Sequence, residues 1–253
     1  MKMLWARGAL TAGFLAMSAW AAPCSTQAQD LADRQREDIT FLRQHYLPRE
    51  QAFTQNSRAA AERYIDQLES RAGSLSDAQL FLGFARVAAL ADNAHSIAGI
   101  GHSYDPGPRL PLVITWFDDA GLVILRALPP NEDLAGGEIT AINGRPAAEV
   151  MDAFRQYYGG PATRRNILVP SLLSTPSMLV AAGLADTTSS VLVRVTLTDG
   201  TEVERNIATV PRATLGASAW WPSRWWSPEP IGEDTTAWAT AISTEDLPLY
   251  LRD

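Results

Sequence analysis

Apolar residues recur every three to four positions through the first third of the chain, and further on they alternate. From Leu31 to Leu47 the positions Ile39, Phe41, Leu42 and Tyr46 follow the helical spacing, and Pro48 ends the run. A second helix is predicted from a cap at Asn56 or Ser57, with Ala60, Tyr64, Ile65 and Leu68 on one face and a stop at Gly73. A third opens on the capping box Ser76-Asp77-Ala78-Gln79 and carries Leu80, Phe81, Phe84, Val87, Ala88 and Ala91 as a broad apolar stripe. Three amphipathic helices with short connections predict a small helical subdomain.

The pattern changes near residue 110. Leu112 to Trp116 and Leu122 to Leu125 predict strands on either side of the turn-forming Asp118-Asp119-Ala120-Gly121. Glu138 to Ile142 predicts a strand entering an Asn143-Gly144 turn, a pair that accepts positive φ. Ala147 to Tyr158 predicts a helix with Val150, Phe154 and Tyr157 on one face and Gly159-Gly160 as its stop. Residues 163–185 predict two short helices broken near Pro170 and Pro176. Val191 to Leu197 alternates strictly and turns at Asp199-Gly200 into a second strand through Val203 and Ile207. Residues 211–253 have little periodicity but hold five of the eight tryptophans: Trp220, Trp221, Trp225, Trp226 and Trp238. Such a segment either lies extended across the body and buries its indoles, or offers them as a stacking surface.

The chain has 253 residues, 46% of them apolar and 19% charged, which fits a globular protein of one or two domains. A net charge of −7 argues against non-specific nucleic-acid binding, which needs a basic face. The single cysteine excludes an internal disulfide framework, a cysteine-based zinc site and an iron–sulfur cluster. His45, His95 and His102 are the only histidines, too few for a His-ligated site, so neither a metal nor a cofactor is expected.

Residues 1–28 read as a secretory signal. Lys2 and Arg7 form its basic region, and Ala9 to Trp20 its apolar stretch, too short to span a bilayer comfortably. Cleavage is predicted at Ala19-Trp20-Ala21 or at Thr26-Gln27-Ala28; an uncleaved anchor, or lipidation at Cys24, are the alternatives. Cleavage after Ala28 would leave a cysteine-free chain, suited to an oxidising compartment. The protein is therefore expected to be exported, to the periplasm or the exterior, with no membrane contact after cleavage.

Nucleophile turns, phosphate loops, zinc-protease motifs and dinucleotide fingerprints are all missing from the sequence. Lys2 is the only lysine, so no Ser–Lys dyad can be built after signal removal. His95, just past the third helix, has the side chain best suited to general-base work at neutral pH. The same residue also fits a loop histidine bonded to a nearby carbonyl. His102 poses the same choice, while His45, within a helix, reads as structural or exposed. The carboxylate pairs Asp118-Asp119 and Glu132-Asp133 read as solvated turn residues, since neighbours on a turn point apart.

Several segments, in order, carry a resemblance to the non-catalytic front half of tail-specific (C-terminal-processing, tricorn-related) serine peptidases. Ser74-Leu75-Ser76-Asp77 through Asp92-Asn93-Ala94-His95-Ser96 resembles the family's helix ending in an Asp-x-Gly-His-Thr-like turn. Leu110 through Trp116-Phe117-Asp118 to Val123 resembles the strands entering its PDZ-like domain. Asp133-Leu134-Ala135-Gly136-Gly137-Glu138-Ile139 to Asn143-Gly144-Arg145-Pro146 resembles the Gly-Asp-x-Ile…Asn-Gly-x-Pro signature of bacterial PDZ domains, and Leu172 to Pro176 with the following hairpin continues the match. The resemblance covers residues 35–253; Ala94, Ser96 and Gly137-Glu138 depart from the family's Gly, Thr and Gly-Asp.

The resemblance implies an α+β fold. A signal over 1–28 and a helical subdomain over 29–104 would precede a PDZ-like β-rich domain with inserted helices over 105–210. A Trp/Pro-rich segment over 211–253 would then lead towards an α/β catalytic domain that this chain lacks. His95 matches the histidine that serves the catalytic serine in tricorn-like members, but a base without its serine has nothing to activate. The loop entering Gly121-Leu122-Val123-Ile124 is the implied peptide cradle, taking a C-terminus by strand addition. The implied role is recognition of peptide or unfolded-protein C-termini within a secreted serine endopeptidase, without hydrolysis by this part alone. A stand-alone exported peptide-binding protein is the alternative, and carbohydrate binding by the tryptophans a third reading.

Overall fold

The computed structural model describes residues 24–98, 105–215 and 238–241, with side chains from Gln29 onward. It is an α+β fold of helices packed on an antiparallel sheet, as the pattern predicts. Most of the expected signal segment, Trp-rich segment and His102 lie outside the described residues.

Helix α1 spans Cys24–Phe41 and passes into a π-helical turn, Leu42–Tyr46, before Pro48. Helix α2, Gln55–Ser70, starts two to three residues earlier than a cap at Asn56 or Ser57 would allow. Thr54 is the cap, and Ser57 returns a hydrogen bond to it from the third helical position. Beyond α2, Gly73 has φ +89 and its N–H donates to Gln35 Oε1 at 2.8 Å. A side chain there would sit 2.8 Å from the Ala32 Cβ, so glycine lets the α2–α3 loop close onto α1. Arg43 meets Glu62 at 3.2 Å, Glu69 at 2.7 Å and also Asp66, tying the π-helical turn to α2.

Helix α3, Asp77–Ala89, has the expected Ser76–Gln79 capping box. The predicted broad stripe divides between two cores. Ala78, Phe81 and Leu82 enter the core shared with the sheet, while Leu80 and Val87 enter a second core with Ile39, Leu47, Ile65 and Leu68. One helix thus belongs to both hydrophobic clusters and welds the helices to the sheet.

The sheet contains β1 (Leu112–Phe117), β2 (Gly121–Ala127), β3 (Glu138–Ile142), β4 (Arg145–Pro146), β5 (Ser190–Thr196), β6 (Glu202–Ala208) and β7 (Ala239–Thr240). Its order is β1-β2-β3-β5-β6, with β4 on β3 and β7 on β2, and every pairing is antiparallel. The β5–β6 hairpin runs in unbroken register from Ser190↔Ala208 to Thr196↔Glu202. Val191, Val193 and Val195 bury one of its faces, which is what strict alternation requires. Asn143 and Gly144 both have positive φ, +49 and +75, as expected of their turn.

Helices α4 (Ala147–Arg155), α5 (Ala162–Leu173) and α6 (Pro176–Ala181) add Val150, Met151, Phe154, Val169, Leu172 and Leu179 to the sheet's core. The expected break at Pro170 does not occur: α5 runs through it and ends at Leu173, and Pro176 opens α6. Pro170 is flanked by the buried Leu168, Val169, Leu172 and Leu173, and that packing outweighs the missing backbone donor. On the far side Leu128, Leu215 of the short helix α7 (Arg212–Leu215) and Trp238 form a third cluster. Trp238 is buried.

Candidate functional site

The turn that carries His95 is built by the end of α3. Asp92 takes a left-handed φ of +50, which stops the helix, and its N–H still reaches the Ala89 carbonyl at 3.0 Å. The Asp92 carboxylate then accepts from the Gly160 N–H at 3.0 Å and from the Arg165 guanidinium at 2.9 Å. Arg165 also donates to the Gly160 carbonyl at 2.8 Å. Asn93 closes the next turn by accepting the His95 N–H on its side chain at 3.0 Å. Gly159 and Gly160, expected only to end α4, are the surface on which this turn sits. A side chain on Gly159 would fall 2.9 Å from the Asn93 nitrogen, and one on Gly160 would fall 2.8 Å from the Ala94 Cβ.

His95 itself is exposed, and its imidazole bonds to no serine or carboxylate among the described residues. The next residue is engaged instead. Ser96 is buried, and its hydroxyl donates to the Glu50 carboxylate at 2.5 Å. That bond holds the Glu50 carboxyl below the usual carboxylate range, helped by the Ala52 N–H at 2.8 Å. Beside it, burial pushes the Tyr46 phenol up. The turn is therefore held from two sides, by the bonds of Asp92 to Gly160 and to Arg165 of α5, and by the bond of Ser96 to Glu50 after the π-helical turn.

A carboxyl whose pKa falls on folding stabilises the protein above its unfolded value, about 4.3 for Glu. That contribution is lost as pH drops through the folded value. Glu50→Gln is accordingly expected to lower stability more at neutral pH than near pH 3. Thermal melts at the two pH values check this, and an equal loss at both would mean that the charge contributes nothing.

Gly121, Leu122, Val123 and Ile124 are not where a strand can be added. They pair with Phe117, Trp116, Thr115 and Ile114 of β1 on one side. On the other, Leu122 and Val123 pair with Ile139 and Glu138, and the Ile124 N–H donates to the Gly137 carbonyl at 3.0 Å. With both edges of β2 occupied, no backbone donor row remains to receive a peptide. The loop entering it is a hairpin turn that exposes Asp118 and Asp119, the wrong charge for holding a carboxylate. The preceding strand, β1, is the outer strand of the sheet among the described residues. Among the described residues β1 pairs with β2 alone and carries no charged side chain.

The remaining expected chemistry is structural. Asp133 forms a two-pronged ion pair with Arg205 at 2.6 and 2.7 Å, which lowers its pKa. His45 is exposed on the π-helical turn, its ring 4.5 Å from that of Phe41. Among the described residues no three His, Cys, Asp or Glu side chains converge on a possible metal position. A cleft of about 390 Å³ lies between the β3–β4 turn and the loop before β5, where Arg145 and Asp186 are the charged side chains among the described residues. Sequence reasoning missed Glu50, Arg165 and Arg155; the last stacks on Trp116 at 5.6 Å and donates to Asn166 at 2.9 Å. The one local signal was the cluster of glycines after α4, which marks a close backbone approach as well as a helix stop.

No family model and no curated protein matches the chain. Among solved structures it is similar to a crystal structure of a CPAF mutant, with 14% identity over 74% of this chain and 34% of that one, at a TM-score of 0.39. It is similar also to mature CPAF, with 13% identity over 72% of this chain and 35% of that one, and to mature CPAF complexed with lactacystin, with 13% over 72% and 36%, both at a TM-score of 0.38. The chain thus spans about a third of the length of these structures.

Proposed function

We propose that this chain is an exported peptide-recognition unit, the PDZ-like front part of a serine-type peptidase system, which takes extended polypeptide as an added strand along β1. The observation that carries the reading is the contrast between the two edge strands. β6 sets Glu202 and Glu204 on its exposed positions, a common guard against unwanted pairing. β1 runs through Leu112-Val113-Ile114-Thr115-Trp116, uncharged and mostly half-buried, and is the outer strand of the sheet formed by the described residues. Such an edge is a template for another chain's backbone, whose amides and carbonyls supply affinity while alternate side chains supply selectivity. Export rests on the basic and apolar pattern of residues 1–28.

Hydrolysis is not assigned to this chain, because a histidine base needs a nucleophile to activate and His95 bonds to none among the described residues. The protein is expected to leave unstructured peptides uncleaved; turnover abolished by His95→Ala would overturn that. Strand addition is expected to slow amide hydrogen exchange in β1 when an extended peptide is present, while β6 stays unchanged. Protection confined to β6, or none, would overturn the reading.

A further inference from the structure

We infer that Asn143 is a modification site gated by the fold: the loop before β5 protects its side chain from deamidation, and a deamidated chain no longer closes that loop. Asn143-Gly144 is the one Asn-Gly pair in the sequence. Gly144 has no side chain to shield its backbone nitrogen, and its surroundings are open, since even an added Cβ would meet nothing within 4 Å. In an open chain that nitrogen, after losing its proton to base, attacks the Asn143 amide carbon. A C–N bond forms to the Gly144 nitrogen, the bond to Nδ2 breaks, and ammonia leaves with the proton. Water then opens the cyclic imide at either carbonyl and leaves aspartate or isoaspartate at this position. No oxidant or reductant takes part.

The folded chain holds both ends of that amide. Asn143 Nδ2 donates to the Leu184 carbonyl at 3.0 Å, and Oδ1 accepts from the Leu192 N–H at 3.0 Å. The Asn143 N–H also donates to the Leu192 carbonyl at 2.8 Å. The side-chain oxygen therefore stands in for a backbone carbonyl and extends the β3–β5 ladder one step past Ile142↔Val193. Swinging the amide carbon towards the Gly144 nitrogen would break both side-chain bonds. The loop is itself fastened, because the Leu184 N–H donates to the carbonyl of the fully buried Leu179 at 2.8 Å, and Leu184 packs on the sheet's core. Asn143, Leu184 and Leu192 all border the 390 Å³ cleft, which gives water access to the pair once the clamp opens.

The reaction removes what the clamp needs. A carboxylate has no donor for the Leu184 carbonyl and sets a negative charge against it. Isoaspartate also adds a methylene to the main chain, in a turn whose positive φ values, +49 and +75, fit only a tight two-residue connection. Opening the loop thus permits the modification, and the modification keeps the loop open.

Peptide mapping by mass spectrometry follows deamidation at Asn143 in the full chain, native and unfolded in urea, at one mildly alkaline pH. The native rate is expected to be lower by about tenfold or more, because only the open fraction reacts. Leu184→Ala, which loosens the loop without removing a clamp atom, is expected to raise the native rate. Equal rates in the native and unfolded chains would overturn the protection. In Asn143→Asp the Leu184 N–H is expected to exchange with solvent about tenfold faster, while the Val193 and Val195 amides of β5 stay protected. Unchanged Leu184 exchange would overturn the claim that the modified chain holds the loop open.

Discussion

Gly160→Ala is expected to lower the unfolding midpoint by about 10 °C, two to three times the loss caused by the same substitution at Gly144. Both glycines have left-handed backbone, φ +88 and φ +75, so both variants bear the same conformational cost, about 1–2 kcal/mol. They differ in surroundings. An added Cβ at Gly144 meets nothing within 4 Å, whereas at Gly160 it lies 2.8 Å from the Ala94 Cβ, 2.9 Å from its Cα and 3.0 Å from its nitrogen. Two of those atoms are backbone, held by the bonds that Asp92 makes to the Gly160 N–H and to Arg165, so neither side yields easily. Overpacking of this kind adds about 1–3 kcal/mol. A difference between the two variants therefore measures the docking of the His95 turn on the α4–α5 connection. Equal losses, read by thermal melts followed by circular dichroism, would mean that the turn is not held there.

Phe81→Ala is expected to cost about 3–5 kcal/mol and to weaken helices and sheet together. Phe81 is 9% exposed and sits in the core with Leu122, Ile124, Ile139 and Val193. The opposite face of the same helix carries Leu80 and Val87 into the core of α1 and α2. Loosening α3 on one face frees it on the other, so far-ultraviolet and tryptophan signals should still change at a single, lower midpoint. A variant in which the sheet melts well before the helices would show instead that the two cores are independent.

Local signals in the chain were read correctly where the deciding atoms lie within a few residues. The Ser76–Gln79 box, the Asn143-Gly144 turn and the β5–β6 hairpin are each set by neighbours close in sequence. The cap of α2 was misplaced by two to three residues because Thr54, Asn56 and Ser57 are all competent caps. Pro170 misled for a different reason: its local preference is outweighed by four buried neighbours that only the assembled core supplies.

The candidate site was legible only in part. His95 was found, but its surroundings come from far along the chain: Glu50 lies 46 residues before Ser96, and Arg165 lies 73 residues after Asp92. The sequence could mark Gly121–Ile124 as an apolar strand; it could not tell that both of its edges would be taken. An interior strand and an edge strand with similar alternation look alike until their partners are known. Composition, the acidic balance, the scarcity of lysine and cysteine and the order of helices and strands were determined by the sequence alone. That both edges of β2 are taken, and which helix joins the two cores, were decided only in the tertiary structure. Those outcomes depend on hydrogen bonds and contacts between segments tens of residues apart, and neither periodicity nor propensity carries information over that distance.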